Sequence, residues 1–161
     1  PMCSRLVDTT HEFVFMRSHA QNVQLPFDVY REEFDLILED VDALPRPLLV
    51  EGCALLPDRL VSIGVPRTSA FYMVPTEEFF RREYSKRTWA YDRLQETSDP
   101  DRAFENWMKR DVTFARMIAE SAQSHDFPCL WIDGKTTLKE TARGIAGHFE
   151  LMPAAMDRTV D

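Results

Sequence analysis

The chain has 161 residues, 44% apolar and 11% aromatic, which is enough for one globular domain with a substantial core. Its 29% charged residues sum to a formal net charge of −8, against a general nucleic-acid or anionic-membrane binder, which would carry a basic face. Cys3, Cys53 and Cys129 form no C-x-x-C pair and no even-numbered framework, and no membrane-length apolar run or signal peptide is visible, so the expectation is a soluble, cytoplasmic protein.

In chain order, HEFVFMR (11–17) reads either as a short strand or as a surface segment. Pro26 suits the first turn of a helix. After it Phe27, Tyr30, Phe34, Ile37, Leu38 and Val41 recur at helical spacing, with Asp28, Glu32, Asp35, Glu39 and Asp42 on the solvated side. Pro45 and Pro47 end that helix. Three apolar runs follow: PLLVE (47–51), SAFYMV (69–74) and PCLWI (128–132). They are continuous rather than alternating, the pattern of strands buried on both faces of a parallel sheet. Helices are predicted between them, over Pro57–Ile63, from Thr76 to about Arg87, from Thr88 to about Gln95, and from Asp99-Pro100 to about Ser124.

The stripe of the long helix is Phe104, Trp107, Met108, Ala115, Ile118 and Ala122, with Asp111 in its middle. A carboxylate there is either paired or set near water at a helix crossing. The last helix opens on a capping box, Thr137 to Glu140, and its expected core face is Leu138, Ala142, Ile145 and Phe149. Residues 152–161 read as a loose tail. This alternation predicts one α/β domain over 1–151, with helices on both faces of a parallel sheet.

Several chemistries are ruled down. His11, His19, His125 and His148 form no metal-ligand spacing. Cys53 lacks the flanking glycines of a nucleophile elbow and reads as a small buried residue. Gly134-Lys135-Thr136 ends like a phosphate-binding loop, but Cys129 stands where the first glycine belongs and the residues between read as strand. Three features remain. Glu51 ends an apolar run, where open parallel sheets bind ligands; it reads equally as a structural glutamate or as one that holds a metal-bound water or takes a proton. Residues 81–93 carry five basic and two acidic side chains, with Arg81, Arg82, Lys86 and Arg87 followed by Arg93, and Lys109 and Arg110 further on. Arginine forks match phosphate oxygens, while the plain alternative is pairing with Glu77, Glu78 and Glu83. Gly134-Lys135-Thr136 after a strand is the third, as a ligand loop or an ordinary connection.

Taken together, FDLILEDVDALPRPLLVEGCALLP (34–57), AFYMVPTEEFFRREY (70–84), AFENWMKRD (103–111) and LWIDGKTTLKETARGIAGHFEL (130–151) resemble the P-loop kinase-like proteins related to nucleotide and shikimate kinases, in an uncharacterised bacterial branch. The resemblance implies a three-layer α/β/α fold with a five-stranded parallel sheet. It also implies transfer of the terminal phosphoryl group of ATP, with magnesium, to a small acceptor. On that reading Glu51, Arg87 and Arg110 are catalytic, with Glu51 reaching magnesium through water. Arg81, Arg82 and Lys86 bind phosphate or substrate in a lid over about 81–111, and Gly134, Lys135 and Thr136 border the base. The chain departs from the family in having no glycine-rich phosphate loop and no lysine for the β- and γ-phosphates. That loop follows the family's first strand, at the centre of the sheet, so it is expected to lie outside this chain. The gap it leaves would favour self-association. The alternative is a non-catalytic nucleotide- or phosphate-binding or regulatory module.

Overall fold

Two capping residues set the first helices. In the computed structural model, which describes residues 10–151, Thr10 accepts the Phe13 N–H at 3.2 Å and opens α1, His11–Phe15. Ser18 and Gln21 form a reciprocal capping box that opens α2, His19–Ala43. The segment at 11–17, expected as strand or surface, is therefore largely helical. Pro26 lies inside α2, about two turns beyond the start. It removes one backbone hydrogen bond, to Asn22. Phe27 and Phe34 are buried on the stripe expected of them.

The chain continues through α3 (Pro57–Ser62), a 3-10 turn (Arg67–Ser69), β1 (Tyr72–Pro75), α4 (Glu77–Tyr84), α5 (Thr88–Leu94), α6 (Pro100–Ser124), β2 (Cys129–Ile132) and α7 (Leu138–His148). β1 and β2 pair in parallel, from Tyr72 opposite Cys129 to Pro75 opposite Ile132. They are the whole sheet among the described residues.

This corrects the expected three-layer α/β/α architecture: the described residues are 63% helical with a two-stranded parallel sheet. The difference lies at PLLVE. A strand needs a neighbour to take its N–H and C=O groups. The runs at 72–75 and 129–132 find each other across the α4–α6 crossover, while 47–51 finds no partner and stays irregular. Leu49, expected to be buried on both faces, is 79% exposed.

α6 is the spine. Asp99 caps it by accepting the Arg102 N–H, and Pro100 sits in its first turn. Its apolar stripe enters all three core clusters. Ala103, Trp107 and Met108 pack with Phe15, Ala90 and Leu94. Ala115, Ile118 and Ala119 pack with Val23, Phe27, Leu56 and Val74. Ala122 packs with Phe34, Leu60, Ala70 and Phe127. α1 is tied to this spine at two points. Glu12 accepts from Ser98 N–H at 2.7 Å and Ser98 Oγ–H at 2.8 Å, bonds that lower the Glu12 pKa. Asn106 Nδ2 donates to Phe15 O at 2.9 Å.

α7 departs from expectation. Its capping box is present, but none of its residues is buried and Leu138 is 86% exposed. A sheet of two strands gives the helix little surface to cover. One anchor is His148, whose Nε2 lies 2.9 Å from Ala70 O and whose ring packs on Phe71 at 5.3 Å. Residues 152–161 lie outside the described residues. Among the described residues no helix is long and apolar enough to cross a membrane.

Candidate functional site

The basic cluster divides into balanced and unbalanced cations. Thr76 caps α4, and Glu77 and Glu78 lie in its first turn, where the helix dipole favours them. Arg81 donates from Nε to Glu77 at 2.9 Å and from Nη1 to Glu105 of α6 at 3.2 Å. Burial alone would lower the Arg81 pKa, but the two carboxylates outweigh it and the net shift is upward. Arg82 Nε lies 3.1 Å from Glu83, and Lys86 Nζ lies 2.8 Å from both Glu83 oxygens. Lys86 first, then Arg82, lowers the Glu83 pKa. Arg81, Arg82 and Lys86 thus hold the local pairs that the plain reading of the sequence offered.

Arg87 and Arg110 are placed differently. Arg87 stands at the N-cap of α5, its guanidinium 4.4 Å from the Tyr84 ring centroid and 5.8 Å from that of Trp89. Among the described residues it has no carboxylate partner. Arg110 Nε is bound to Asp111 at 2.6 Å, and Asp111 also accepts the Trp107 indole N–H at 2.8 Å. The stripe carboxylate is therefore paired; the two side chains of the ion pair are 17% and 24% exposed. The terminal nitrogens of Arg110 have no protein acceptor among the described residues. Its guanidinium lies over Phe15 at 5.7 Å and over Trp107 at 5.9 Å.

Rings join the two arginines. Tyr84 meets Trp107 edge-on at 5.7 Å, and Trp89 lies 6.0 Å from Trp107. An aromatic floor of Tyr84, Trp89, Trp107 and Phe15 thus carries Arg87 at one end and Arg110 at the other. The rings lie beside both guanidiniums without taking their terminal N–H groups, which suit phosphate or carboxylate oxygens. The loop at 52–54 borders the same face. Burial first, and then the Cys53 thiol and the Asp111 carboxylate, push Tyr30 up to about 12. Burial and Asp111 also raise Tyr84, while Arg87 and Arg110 oppose the shift. Cys53 is exposed here, not the small buried residue expected of it.

The remaining expected site residues lie apart from this floor or at its rim. Glu51 is exposed two residues before Cys53, in irregular chain rather than at a strand end. Gly134 has φ +81°, and a Cβ there would fall 2.7 Å from Arg82 Nη2 and 2.8 Å from the Phe79 ring. That close approach brings α4 against the loop after β2. Lys135 is held locally: Asp133 accepts its N–H at 2.9 Å and pairs with its Nζ at 3.2 Å. The backbone bond is the chief cause that lowers the Asp133 pKa. Thr136 lines a small cleft of ≈ 20 Å³ with Leu130, Ile132, Asp133 and Gly134. That is below the ~300 Å³ at which pockets that enclose small ligands begin.

Sequence spacing missed Arg17. It lies just past α1, and its Nη2 is buried without an acceptor among the described residues. An isolated arginine after an ambiguous segment carries no pattern; only the folded position of α1 against α6 makes it visible. The donor set of the face fits phosphate oxygens. It does not fit a metal held by protein ligands, since among the described residues no group of three or more His, Cys, Asp or Glu gathers at a point.

No family model, curated protein or solved structure matches the chain.

Proposed function

We propose that the face between Arg87 and Arg110 binds the phosphate of a small phosphorylated molecule, a nucleotide being the class that the sequence motifs favour. The observation that carries this reading is the pair of guanidiniums set over a shared aromatic floor, their terminal nitrogens free of carboxylates among the described residues. Charge-assisted hydrogen bonds contribute about 1.5–3 kcal/mol each. Calorimetric titration with orthophosphate and with ATP is expected to show binding, and Arg87→Gln to weaken it about 10-fold or more. Equal affinity in the variant and the parent chain would overturn the reading.

Phosphoryl transfer from ATP to a small acceptor is a second reading. It is favoured by the proximity of the 52–54 loop to Tyr30 and Tyr84, which brings the Glu51 segment near the arginine face. When bound, magnesium would balance charge on the transferred group. The chain's own residues would hold phosphate oxygens on Arg87 and Arg110 and accept the acceptor's hydroxyl proton on a Glu51 oxygen. Under this reading Glu51→Gln lowers turnover at least 100-fold and leaves ADP affinity unchanged. Turnover equal to that of the parent chain rules the reading out.

A further inference from the structure

α5 meets different surroundings on two of its faces. Ala90 and Leu94, four residues apart, are buried in the cluster that holds Trp107 and Met108. Trp89 and Arg93, also four apart, stand on the adjoining face, and both are exposed. Trp89 keeps 45% of its surface open to solvent. Its inner contacts are aromatic, with Tyr84 edge-on at 6.2 Å and Trp107 at 6.0 Å.

Two cations border this indole. The Arg87 guanidinium lies 5.8 Å from its ring centroid and that of Arg93 lies 5.9 Å away. Neither has a carboxylate partner among the described residues, and both side chains are exposed. A lone exposed tryptophan is ordinary on a protein surface. An indole bordered by two uncompensated guanidiniums, one of them part of the phosphate face, sets an open ring beside an anion site. Every nucleobase has a π-face that stacks on such a ring and polar edge atoms that an arginine fork can meet.

We propose that Trp89 is the base platform of this site: the ligand is a nucleotide whose phosphate is held at Arg87 and Arg110 and whose base stacks on the exposed indole beside Arg93. This sets the base on α5 rather than at Gly134–Thr136, where the cleft measures only ≈ 20 Å³. The net charge of −8 disfavours a long polyanion, so the fitting ligand is a single nucleotide and not a nucleic-acid strand. The inference rests on the reading of the Arg87–Arg110 face as a phosphate site, and it adds the chemistry of the ligand's other end. A Trp89 that only braces Arg87 would affect every phosphate ligand alike and would not tell a nucleotide from its sugar phosphate.

The test compares AMP with ribose 5-phosphate, which carries the same phosphomonoester and no base, by calorimetry at fixed ionic strength. The parent chain is expected to bind AMP more tightly by about 10-fold or more. Trp89→Leu should bring that preference to within about twofold, whatever it does to the shared phosphate contact, and Trp89→Phe, which keeps an aromatic face, should hold it above about fivefold. Indole fluorescence is the second measurement, and it carries the test if the leucine variant is unfolded by circular dichroism. AMP should quench the parent chain, and the quenching should fall by more than half in Trp89→Phe although that variant still binds. Equal affinity of the parent chain for the two ligands, a preference unchanged in folded Trp89→Leu, or quenching that is absent from the parent chain or undiminished in Trp89→Phe overturns the base platform alone. Failure of the parent chain to bind either ligand overturns the phosphate reading as well.

Discussion

Arg110→Gln is expected to weaken phosphate binding about 100-fold, more than any other single change among the arginines of this face. Two outward N–H groups are lost together, and at about 1.5–3 kcal/mol for each charge-assisted bond a loss of about 3 kcal/mol corresponds to that factor. The effect on folding should be far smaller. Asp111 loses the Arg110 Nε bond at 2.6 Å but keeps the Trp107 N–H at 2.8 Å, and the pair is partly exposed. Water screens what remains, so the expected loss of stability is about 1 kcal/mol. Urea unfolding measures one quantity and calorimetry the other. The double variant Arg110→Gln, Asp111→Asn removes both charges; it should regain stability and remain unable to bind. Binding by Arg110→Gln at the parent's affinity would place the phosphate elsewhere.

Trp107→Ala is expected to cost about 3–5 kcal/mol of stability, the range for removing a buried Trp or Phe from a core. Trp107 is buried, stacks on Phe15 at 5.0 Å, and meets Tyr84 and Trp89 on its other sides. Its loss opens a cavity at the junction of α1, α4, α5 and α6 and leaves Asp111 one donor short. Both arginines also lose their common floor, so binding should fall with stability. Trp107→Phe separates the two contributions: the ring remains and the indole N–H does not. Its expected cost is about 1–2 kcal/mol, the worth of a hydrogen bond to a charged group together with imperfect repacking. A urea midpoint for Trp107→Ala close to that of the parent chain would show that the ring cluster carries no core energy.

Local signals were readable in the sequence because local physics sets them. Asp99-Pro100 marks the start of α6, Thr137 and Glu140 form the box at α7, and Thr76 caps α4. The stripe on α6 is buried largely as its period requires, the strand at 129–132 falls inside its expected run, and the strand at 72–75 overruns its own by Pro75. What failed depended on partners. PLLVE has strand-like residues, but pairing is a property of two segments, and none of the described residues reaches it. Leu138 follows a helical period on α7, but a period says only which face is apolar, not whether a surface lies opposite. α1 was missed because five residues hold too few turns to show a period, although Thr10 caps them. Of the site, Arg87 and Arg110 could be singled out as arginines in a basic cluster. That they share a floor while Arg81, Arg82 and Lys86 are neutralised by Glu77, Glu105 and Glu83 depends on rotamers and helix packing, which spacing does not encode.

The place of α6 in all three apolar clusters bears on how the molecule comes apart. No cluster can be dismantled without disturbing that helix, and no second helix runs through all three. Loss of α6 from its seat therefore removes every cluster at once, which makes unfolding of the described body an all-or-none event rather than a sequence of partial ones. α7 stands outside that rule. With no buried residue it can detach and return while the rest keeps its packing, so its amide protons report local opening and those at the middle of α6 report the global transition.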